Sequence, residues 1–300
     1  MIRKAVIPVA GLGSRLLPLT KALPKEMLPI GDKPVIEHTV RELIASGIRD
    51  ITIVTSSRKT LIQQHFAPDT DMELQLRTTD KHDLADTVRE LSDLAAHVSF
   101  IHQNGPYGNG TPILNASRII GDEPFMVLWA DDVFVSDIPR AQQLKAAYEA
   151  TGSPVLALMP MDPADSSRYG VPVVKDDLGG GRLRISGLME KPKPKDAPSP
   201  YAAIGGYVIT PGIVAELEEQ TRRWRLNPQG EIYLSDALDA YASANPVYGQ
   251  VIAGTWYDTG SPQAYLEAQF AHALAHPEYG PALRRLAYDL DADAGTDQSG

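Results

Sequence analysis

Residues 9–29 read VAGLGSRLLPLTKALPKEMLP, and they follow a short apolar run at 5–7 that predicts the first β-strand. Gly11 and Gly13 allow the main chain to turn tightly and let a phosphate approach its N–H groups. Prolines make the segment too rich in helix breakers to form one helix. Three cations lie within eleven positions: Arg15, Lys21 and Lys25. A strand, a glycine turn, fixed cations and a rigid connector together predict a cradle for a triphosphate.

Two other phosphate-binding motifs are excluded by this stretch. A P-loop needs Gly-Lys followed by Ser or Thr, which is absent here. A dinucleotide-binding turn needs a third glycine where this chain has Leu16, which disfavours a Rossmann oxidoreductase. By itself, a pair of glycines would indicate no more than a turn.

Joined to Arg15 and to the run Pro24-Lys25-Glu26-Met27-Leu28-Pro29, the glycine pair resembles a family signature. It is similar to the sugar nucleotidyltransferase pattern G-x-G-[ST]-R-x-x-P-x-T-K followed by P-K-x-x-L-P. The Lys-Glu-Met-Leu-Pro form looks like that of bacterial UTP–glucose-1-phosphate uridylyltransferases, whereas relatives that make dTDP-sugars usually carry Lys-Gln-Leu-Leu-Pro. The resemblance covers about Lys4 to Ala275. It implies a Rossmann-like α/β nucleotidyltransferase fold, with helices around a mixed central sheet and a smaller, β-rich sugar-binding insertion.

The resemblance also implies roles for residues of the opening stretch. Arg15 and Lys25 would be catalytic, with Arg15 on the leaving pyrophosphate and Lys25 on phosphate through the transition state. The nucleotide would be held by Ala10, Gly11, Gly13 and Glu26.

Composition narrows the function classes further. The chain has 300 residues and 43% hydrophobic residues, enough to bury a substantial core. Its formal charge of −10 disfavours a broad nucleic-acid-binding face. The absence of cysteine excludes disulfides, thiolate metal sites and a cysteine nucleophile. No apolar window approaches the roughly 18 residues of a membrane span. We therefore expect a cytoplasmic protein that binds neither nucleic acid nor membrane.

The order of predicted elements indicates one nucleotidyltransferase domain over residues 1–288. Strand, cradle, helix and strand up to about residue 55 form a βαβ unit, and Asp32 is expected to cap the helix. Beyond Pro160 the chain becomes rich in Pro and Gly. The expected parts are a nucleotide-binding half at about 1–160, a sugar-binding half at about 161–260, C-terminal helices at 261–290 and a disordered tail at 291–300.

A glycine-rich turn after a predicted strand carries a second candidate site. Gln103 offers both a donor and an acceptor to a pyrimidine edge, and Gly108 leaves room for a flat ring. The family has a similar Gln with Gly-x-Gly five residues later, which implies nucleotide binding by Gln103 and Gly108. This chain has Thr111-Pro112 where the family usually has His-Ala. Without the first motif, a glycine-rich turn with a solvated Gln would be the preferred interpretation.

A predicted central strand at 125–129 ends in Ala130-Asp131-Asp132. Carboxylates at the carboxyl end of a parallel strand lie where α/β sheets bind ligands, and Mg²⁺ prefers oxygen ligands. Taken alone, such a pair is about as often a turn or a helix cap. The resemblance implies that Asp131 binds the metal, with Asp132 as second choice. The family's Trp-x-Asp-Thr-Gly motif places a second ligand at Asp258, for which a helix-capping box is the alternative.

Glu190-Lys191 is a third candidate site, because it offers an acceptor for sugar hydroxyls and a cation for phosphate. Alone, a Glu-Lys-Pro run is usually a solvated loop. The family also has Glu-Lys-Pro here, preceded by Tyr-Gly-Val and followed by a Gly-x-Tyr strand. The sugar-phosphate contacts that the resemblance implies are Gly170, Glu190, Lys191, Gly205 and Glu231.

The implied reaction joins UTP and α-D-glucose 1-phosphate to give UDP-glucose and pyrophosphate, with Mg²⁺ as cofactor. Direct in-line attack by the sugar phosphate needs no side-chain nucleophile. A homodimer or homotetramer is expected from the family. Two alternatives stay open: a thymidylyltransferase or other nucleotidyltransferase acting on a related sugar 1-phosphate, and a non-catalytic nucleotide-sugar sensor.

Overall fold

The computed structural model describes residues 1–296. The strands are β1 (Lys4–Pro8), β2 (Pro29–Ile30), β3 (Lys33–Pro34), β4 (Asp50–Thr55), β5 (Val98–His102), β6 (Phe125–Leu128), β7 (Asp132–Val135), β8 (Val155–Pro160), β9 (Gly170–Asp177), β10 (Arg182–Glu190), β11 (Tyr201–Ile209), β12 (Val247–Val251) and β13 (Thr255–Asp258). The helices are α1 (Val35–Ala45), α2 (Thr60–Phe66), α3 (Thr70–Thr78), α4 (His82–Ala95), α5 (Gly110–Ile120), α6 (Arg140–Thr151), α7 (Pro211–Leu226), α8 (Leu234–Ala242), α9 (Pro262–Ala275) and α10 (Gly280–Thr296).

Nine strands form one mixed sheet in the order β5-β4-β1-β6-β11-β8-β12-β10-β9. The strands β5, β4, β1 and β6 are parallel to one another, and β11 is antiparallel to both β6 and β8. Strand β12 is parallel to β8, and β10 is antiparallel to β12 and β9. The predicted α/β fold with a mixed central sheet is therefore confirmed. The strands that follow Pro160 extend this same sheet.

Helices cover both faces of the sheet because its central strands are apolar on both sides. Every residue of β6 is buried, as expected for a strand between two helical layers. Ala5 and Ile7 of β1 pack with Ile36 of α1 in one core cluster. Val6, which points to the opposite face, packs with Ile113 of α5 in the other. The parallel strands are thereby fixed so that their carboxyl ends open at one edge of the sheet.

A two-stranded ribbon lies beside that edge. Strands β7 and β13 pair antiparallel, with Asp132 opposite Asp258. The ribbon brings the segment after β6 next to a segment from the last third of the chain. Two predicted acidic sites that are distant in sequence thus become neighbours.

The start of the first helix differs from the prediction. A hairpin of β2 and β3 precedes α1, and the Val35 N–H donates to the Leu28 carbonyl at 2.9 Å, which closes the hairpin. The helix therefore begins at Val35, and Asp32 does not cap it. The Asp32 carboxylate instead contacts the Lys33 ammonium at 2.6 Å.

The end of the chain also differs from the prediction. Helix α10 extends to Thr296, so the expected disordered tail at 291–300 is helical up to that residue. Residues 297–300 lie outside the described part of the chain. Over residues 1–296, no helix combines the length and the apolar character that crossing a membrane requires.

Candidate active site

Two adjoining clefts open at the carboxyl ends of β1, β5 and β6, with volumes of about 390 and 200 Å³. Their shared wall consists of Asn109, Trp129, Asp131, Glu190 and Lys191. The larger cleft gathers the predicted residues Ala10, Gly11, Lys25, Glu26, Gln103, Gly108, Asp131, Glu190, Lys191 and Glu231. The smaller cleft adds Arg15, Gly170, Gly205 and Asp258. Gly13 lies outside both walls and acts by shaping the turn.

The Gly13 turn aims Arg15 into the smaller cleft. Gly13 has a φ of +67°, in the left-handed region that favours glycine, and it directly precedes a short 3₁₀ turn. The Thr20 hydroxyl donates to the Gly13 carbonyl at 2.8 Å and closes the loop. Arg15 Nη2 then lies 2.8 Å from the position that a Cβ on Gly260 would occupy. The absence of a side chain at Gly260 keeps that space open in front of the guanidinium.

Lys25 and Asp131 form an ion pair between the two clefts. Lys25 Nζ lies 2.5 Å from Asp131 Oδ2, and both side chains are mostly withdrawn from solvent. Burial opposes charge on both groups and is the largest single effect, but it is outweighed by the ion pair and its hydrogen bond together with further contacts, Glu26 beside Lys25 and Arg15 beside Asp131. The pKa of Lys25 is raised above its ordinary value and the pKa of Asp131 is lowered. Both groups are therefore ionised at neutral pH.

Asp131 and Asp258 approach the same side of Gly260. Their carboxylate oxygens lie 3.0 and 2.9 Å from the Cβ position of Gly260. The main-chain N–H and the hydroxyl of Thr259 both donate to the Asp131 carbonyl at 2.8 Å, which fixes the two loops together. Within residues 1–296, no group of three or more acidic, His or Cys side chains could hold a metal. Two neighbouring carboxylates fit Mg²⁺, which prefers oxygen ligands and completes its shell with substrate phosphates and water.

Asp132, the second choice as metal ligand, has both carboxylate oxygens hydrogen-bonded within the protein. Its Oδ1 accepts from Trp256 Nε1 at 2.5 Å, and its Oδ2 accepts from the Gly205 N–H at 2.8 Å. Burial, followed by the neighbouring Asp131 carboxylate, raises the pKa of Asp132 to about 7. Arg140 Nη1 donates to the Gly205 carbonyl at 2.7 Å, so the main-chain N–H and the carbonyl of Gly205 are both bonded. Gly205 lines the cleft as predicted, but its N–H is already bonded.

Glu26 lies at the wall of the larger cleft and is paired with a residue that the motifs did not identify. Lys59 Nζ lies 2.7 and 2.9 Å from the two carboxylate oxygens of Glu26. Glu26 is 2% exposed and Lys59 is 7% exposed. Burial raises the pKa of Glu26 and lowers the pKa of Lys59, and the pairing opposes both shifts. Lys59 therefore offsets the cost of burying a carboxylate beside the candidate nucleotide site.

The glycine-rich loop places Gln103 and Gly108 on the larger cleft, as predicted. Gly108 has a φ of +124°, and a Cβ there would overlap the main chain of Ile232. The Ile232 N–H donates to the Tyr107 carbonyl at 2.8 Å, and its carbonyl accepts from the Gly110 N–H at 2.9 Å. Position 108 thus requires glycine because the segment that carries Glu231 packs directly against it. This reason adds to the room that glycine would leave for a base.

Glu190 and Lys191 lie on the wall that the clefts share. Lys191 has a φ of +46°, a conformation that costs energy in a residue with a side chain, and its N–H donates to the Tyr169 carbonyl at 3.0 Å. Its Nζ lies 3.2 Å from Glu190 Oε1. A Cβ on Gly170 would lie 3.5 Å from Glu190 Oε2, so the small residue leaves space beside that carboxylate.

Several residues that line the clefts were not predicted from the sequence. Arg168 Nη2 and the Tyr169 hydroxyl lie 3.3 and 3.4 Å from Asp258 Oδ2. Tyr169 begins the Tyr-Gly-Val run and Arg168 directly precedes it, which was the available signal. No pattern pointed to Lys59, whose role depends entirely on the packing of α2. The other missed wall residues include Tyr107, Asn109, Trp129 and Tyr233.

Comparison with known proteins shows which family this chain belongs to. The family model described as Nucleotidyl transferase matches residues 4–273. A UTP–glucose-1-phosphate uridylyltransferase of Staphylococcus epidermidis is 40% identical over 292 residues, covering 97% of this chain and 99% of the relative. One of Streptococcus pneumoniae is 39% identical over 293 residues, covering 96% of each chain.

Solved structures that resemble this fold carry related names. The UTP-bound UGPase of Acinetobacter baumannii aligns with a TM-score of 0.87 at 30% identity, covering 97% of this chain and all of that one. A UDP-glucose pyrophosphorylase in complex with UDP-glucose aligns with a TM-score of 0.80 at 33% identity, covering 91% and 98%. These matches show that the chain belongs to the nucleotidyl transferase family, and these relatives are named UTP–glucose-1-phosphate uridylyltransferase, UGPase or UDP-glucose pyrophosphorylase.

Proposed function

We propose that this protein transfers a uridylyl group from UTP to α-D-glucose 1-phosphate and releases UDP-glucose and pyrophosphate. The proposal depends on one observation: two cationic and two carboxylate side chains lie close together where the two clefts join. These are Arg15, Lys25, Asp131 and Asp258. The names of the relatives, and the UTP and UDP-glucose in the solved structures of two of them, support the same assignment.

The two clefts suit the two substrates. In the larger cleft, the amide of Gln103 would read the uracil edge, and the main chain at Ala10 and Gly11 would approach the phosphates. In the smaller cleft, Glu190 would accept from sugar hydroxyls and Lys191 would meet the sugar phosphate. The wall that both clefts share would then bring the sugar phosphate next to the α-phosphorus of UTP.

The chemistry is a direct displacement. A phosphate oxygen of glucose 1-phosphate forms a bond to the α-phosphorus while the bond from that phosphorus to the bridging oxygen breaks. The electron pair leaves with pyrophosphate, and no proton transfer is required. The phosphates of UTP and of glucose 1-phosphate converge at this point and repel one another. Lys25 and Arg15 reduce that repulsion and favour in-line geometry.

We propose Mg²⁺ as the metal of this site, because its candidate ligands are carboxylates. Asp131 and Asp258 would hold it together with phosphate oxygens and water. When bound, it would supply positive charge to the phosphates of UTP. The fixed carboxylates would decide where that charge lies relative to Arg15.

Pyrophosphate release from UTP, glucose 1-phosphate and MgCl₂ tests the proposal, with dTTP run in parallel. We expect turnover with UTP that exceeds turnover with dTTP, and no turnover after chelation of the metal. Lys25→Ala should lower kcat by at least about 10²–10³-fold, whereas Lys81→Ala, at an exposed position away from both clefts, should match the wild type. Preference for dTTP would favour the thymidylyltransferase alternative, and tight UDP-glucose binding without turnover would favour a sensor.

The remaining expectations from the sequence are a cytoplasmic location and a homodimer or homotetramer, and both stay predictions. Light scattering of the purified protein measures the oligomeric state directly.

A further inference from the structure

Asn109 stands at the junction of the two clefts and lines both of them. It lies between Gly108 and the first residue of α5, yet its side chain does not cap that helix. Instead, Asn109 Oδ1 accepts from the Leu234 N–H at 2.8 Å. Leu234 is the first residue of α8, whose own N-cap residue, Tyr233, makes no side-chain bond to it. Asn109 thus satisfies a helix N–H from outside the helix.

This bond fixes which way the amide points. A main-chain N–H needs an acceptor, so the oxygen of the amide faces α8 and its nitrogen faces away from it. Within residues 1–296, no acceptor is bonded to Asn109 Nδ2, and the residue is exposed on the cleft wall. Two N–H donors are therefore available to whatever enters the junction.

The surroundings of these donors indicate what they would bind. Glu190 and Lys191, which share the same wall, belong to the proposed sugar-phosphate site. The base edge would be read elsewhere, by Gln103. Sugar hydroxyls and phosphate oxygens are acceptors, and a neutral amide can donate to either without adding charge.

We propose that Asn109 is a substrate-contacting residue whose Nδ2 donates to an oxygen of the bound sugar 1-phosphate, with its orientation fixed by the N–H of Leu234. The inference rests on the proposed function, because it assumes that a sugar 1-phosphate occupies the smaller cleft. Sugar recognition thereby depends on a bond between the glycine-rich loop and α8.

The variant Asn109→Asp separates the two bonds of this side chain. It keeps an acceptor for Leu234 but replaces both donors with a carboxylate oxygen. We expect the KM for glucose 1-phosphate to rise about tenfold to hundredfold, while the KM for UTP changes less than about threefold and the melting temperature stays within about 2 °C. Asn104→Asp is the matched control, since it adds the same charge to the same loop outside both clefts, and it should leave both KM values unchanged.

Two further measurements keep the inference testable if catalysis is lost. The affinity for UDP-glucose, measured by calorimetry, should fall in Asn109→Asp and not in Asn104→Asp. With 2-deoxyglucose 1-phosphate as substrate, a smaller penalty for Asn109→Asp would assign the contact to the 2-hydroxyl. An equal penalty would assign it to the phosphate or another hydroxyl.

An unchanged KM for glucose 1-phosphate in Asn109→Asp, or an equal rise in both KM values, would overturn the inference. In those cases the wild type would still turn over UTP and glucose 1-phosphate, so the proposed function would stand. A wild type that fails to turn over both substrates would overturn the proposed function and this inference together.

Discussion

Removing the ammonium of Lys59 should lower the free energy of unfolding, because it leaves the Glu26 carboxylate buried without its partner. Lys59 contacts both oxygens of Glu26, at 2.7 and 2.9 Å, and both residues are almost inaccessible to water. Breaking one side of such a pair costs about 3–5 kcal/mol. Lys25 also lies close enough to lower the pKa of Glu26, so we expect the lower end of that range for Lys59→Met.

The assay is urea unfolding combined with calorimetry. For a chain of 300 residues, a loss of about 3 kcal/mol corresponds to a fall in melting temperature of roughly 5 °C. Lys81→Met, which removes an exposed ammonium, is the control and should change the melting temperature by less than about 1 °C.

A double variant isolates the charge pair from the packing of the lysine stem. Glu26→Gln together with Lys59→Met removes both charges, and we expect it to recover most of the stability lost in Lys59→Met. A coupling energy of about 1.5–3 kcal/mol would agree with this account. Strictly additive effects, or a melting temperature of Lys59→Met that matches the wild type, would refute the reasoning that Lys59 offsets a buried charge.

Three more predictions follow from other parts of the structure. Gly108→Ala, at a φ of +124°, should raise the KM for UTP at least tenfold and lower stability by about 1–3 kcal/mol, as steady-state kinetics and urea titration will test. Asp258→Asn should raise the Mg²⁺ concentration for half-maximal activity by at least about tenfold, and an unchanged metal titration would contradict its assignment as ligand. Burial opposes ionisation of Glu37, but hydrogen bonds from His65 and Arg41 hold its pKa below 4.5. This carboxylate therefore stabilises the fold above about pH 4.5 and less as the pH falls through its lowered pKa. Glu37→Gln should destabilise the protein at pH 7 by about 1–3 kcal/mol, and the difference in unfolding free energy should shrink towards pH 3.

Much of the cleft could be predicted because its residues occur in short motifs at the ends of strands. Asp131 follows an apolar strand buried on both faces, and the carboxyl edge of a parallel sheet is where such residues meet. Asp258 was found through its motif, although only the pairing of β7 with β13 explains why the two carboxylates become neighbours.

Other features left no signal in the sequence. Helix α3 has no buried residue, so its sequence carries no apolar stripe by which a helix is recognised. Lys59 contacts Glu26, which lies 33 positions earlier in the chain, and nothing local distinguishes it from other lysines. The requirement for glycine at Gly108 comes from Ile232, a contact between distant segments that spacing alone does not reveal.

The order of strands in the sheet has a consequence for how the protein is made. Strand β6 lies between β1 and β11, and β11 ends at Ile209. While a ribosome is producing the chain, β6 can pair with β1 early, but its other edge has no partner until Ile209 has emerged. An unpaired apolar edge is a template for association between nascent chains. We therefore expect the nascent chain to depend on chaperones most strongly after β6 has emerged from the ribosome and before β11 has emerged.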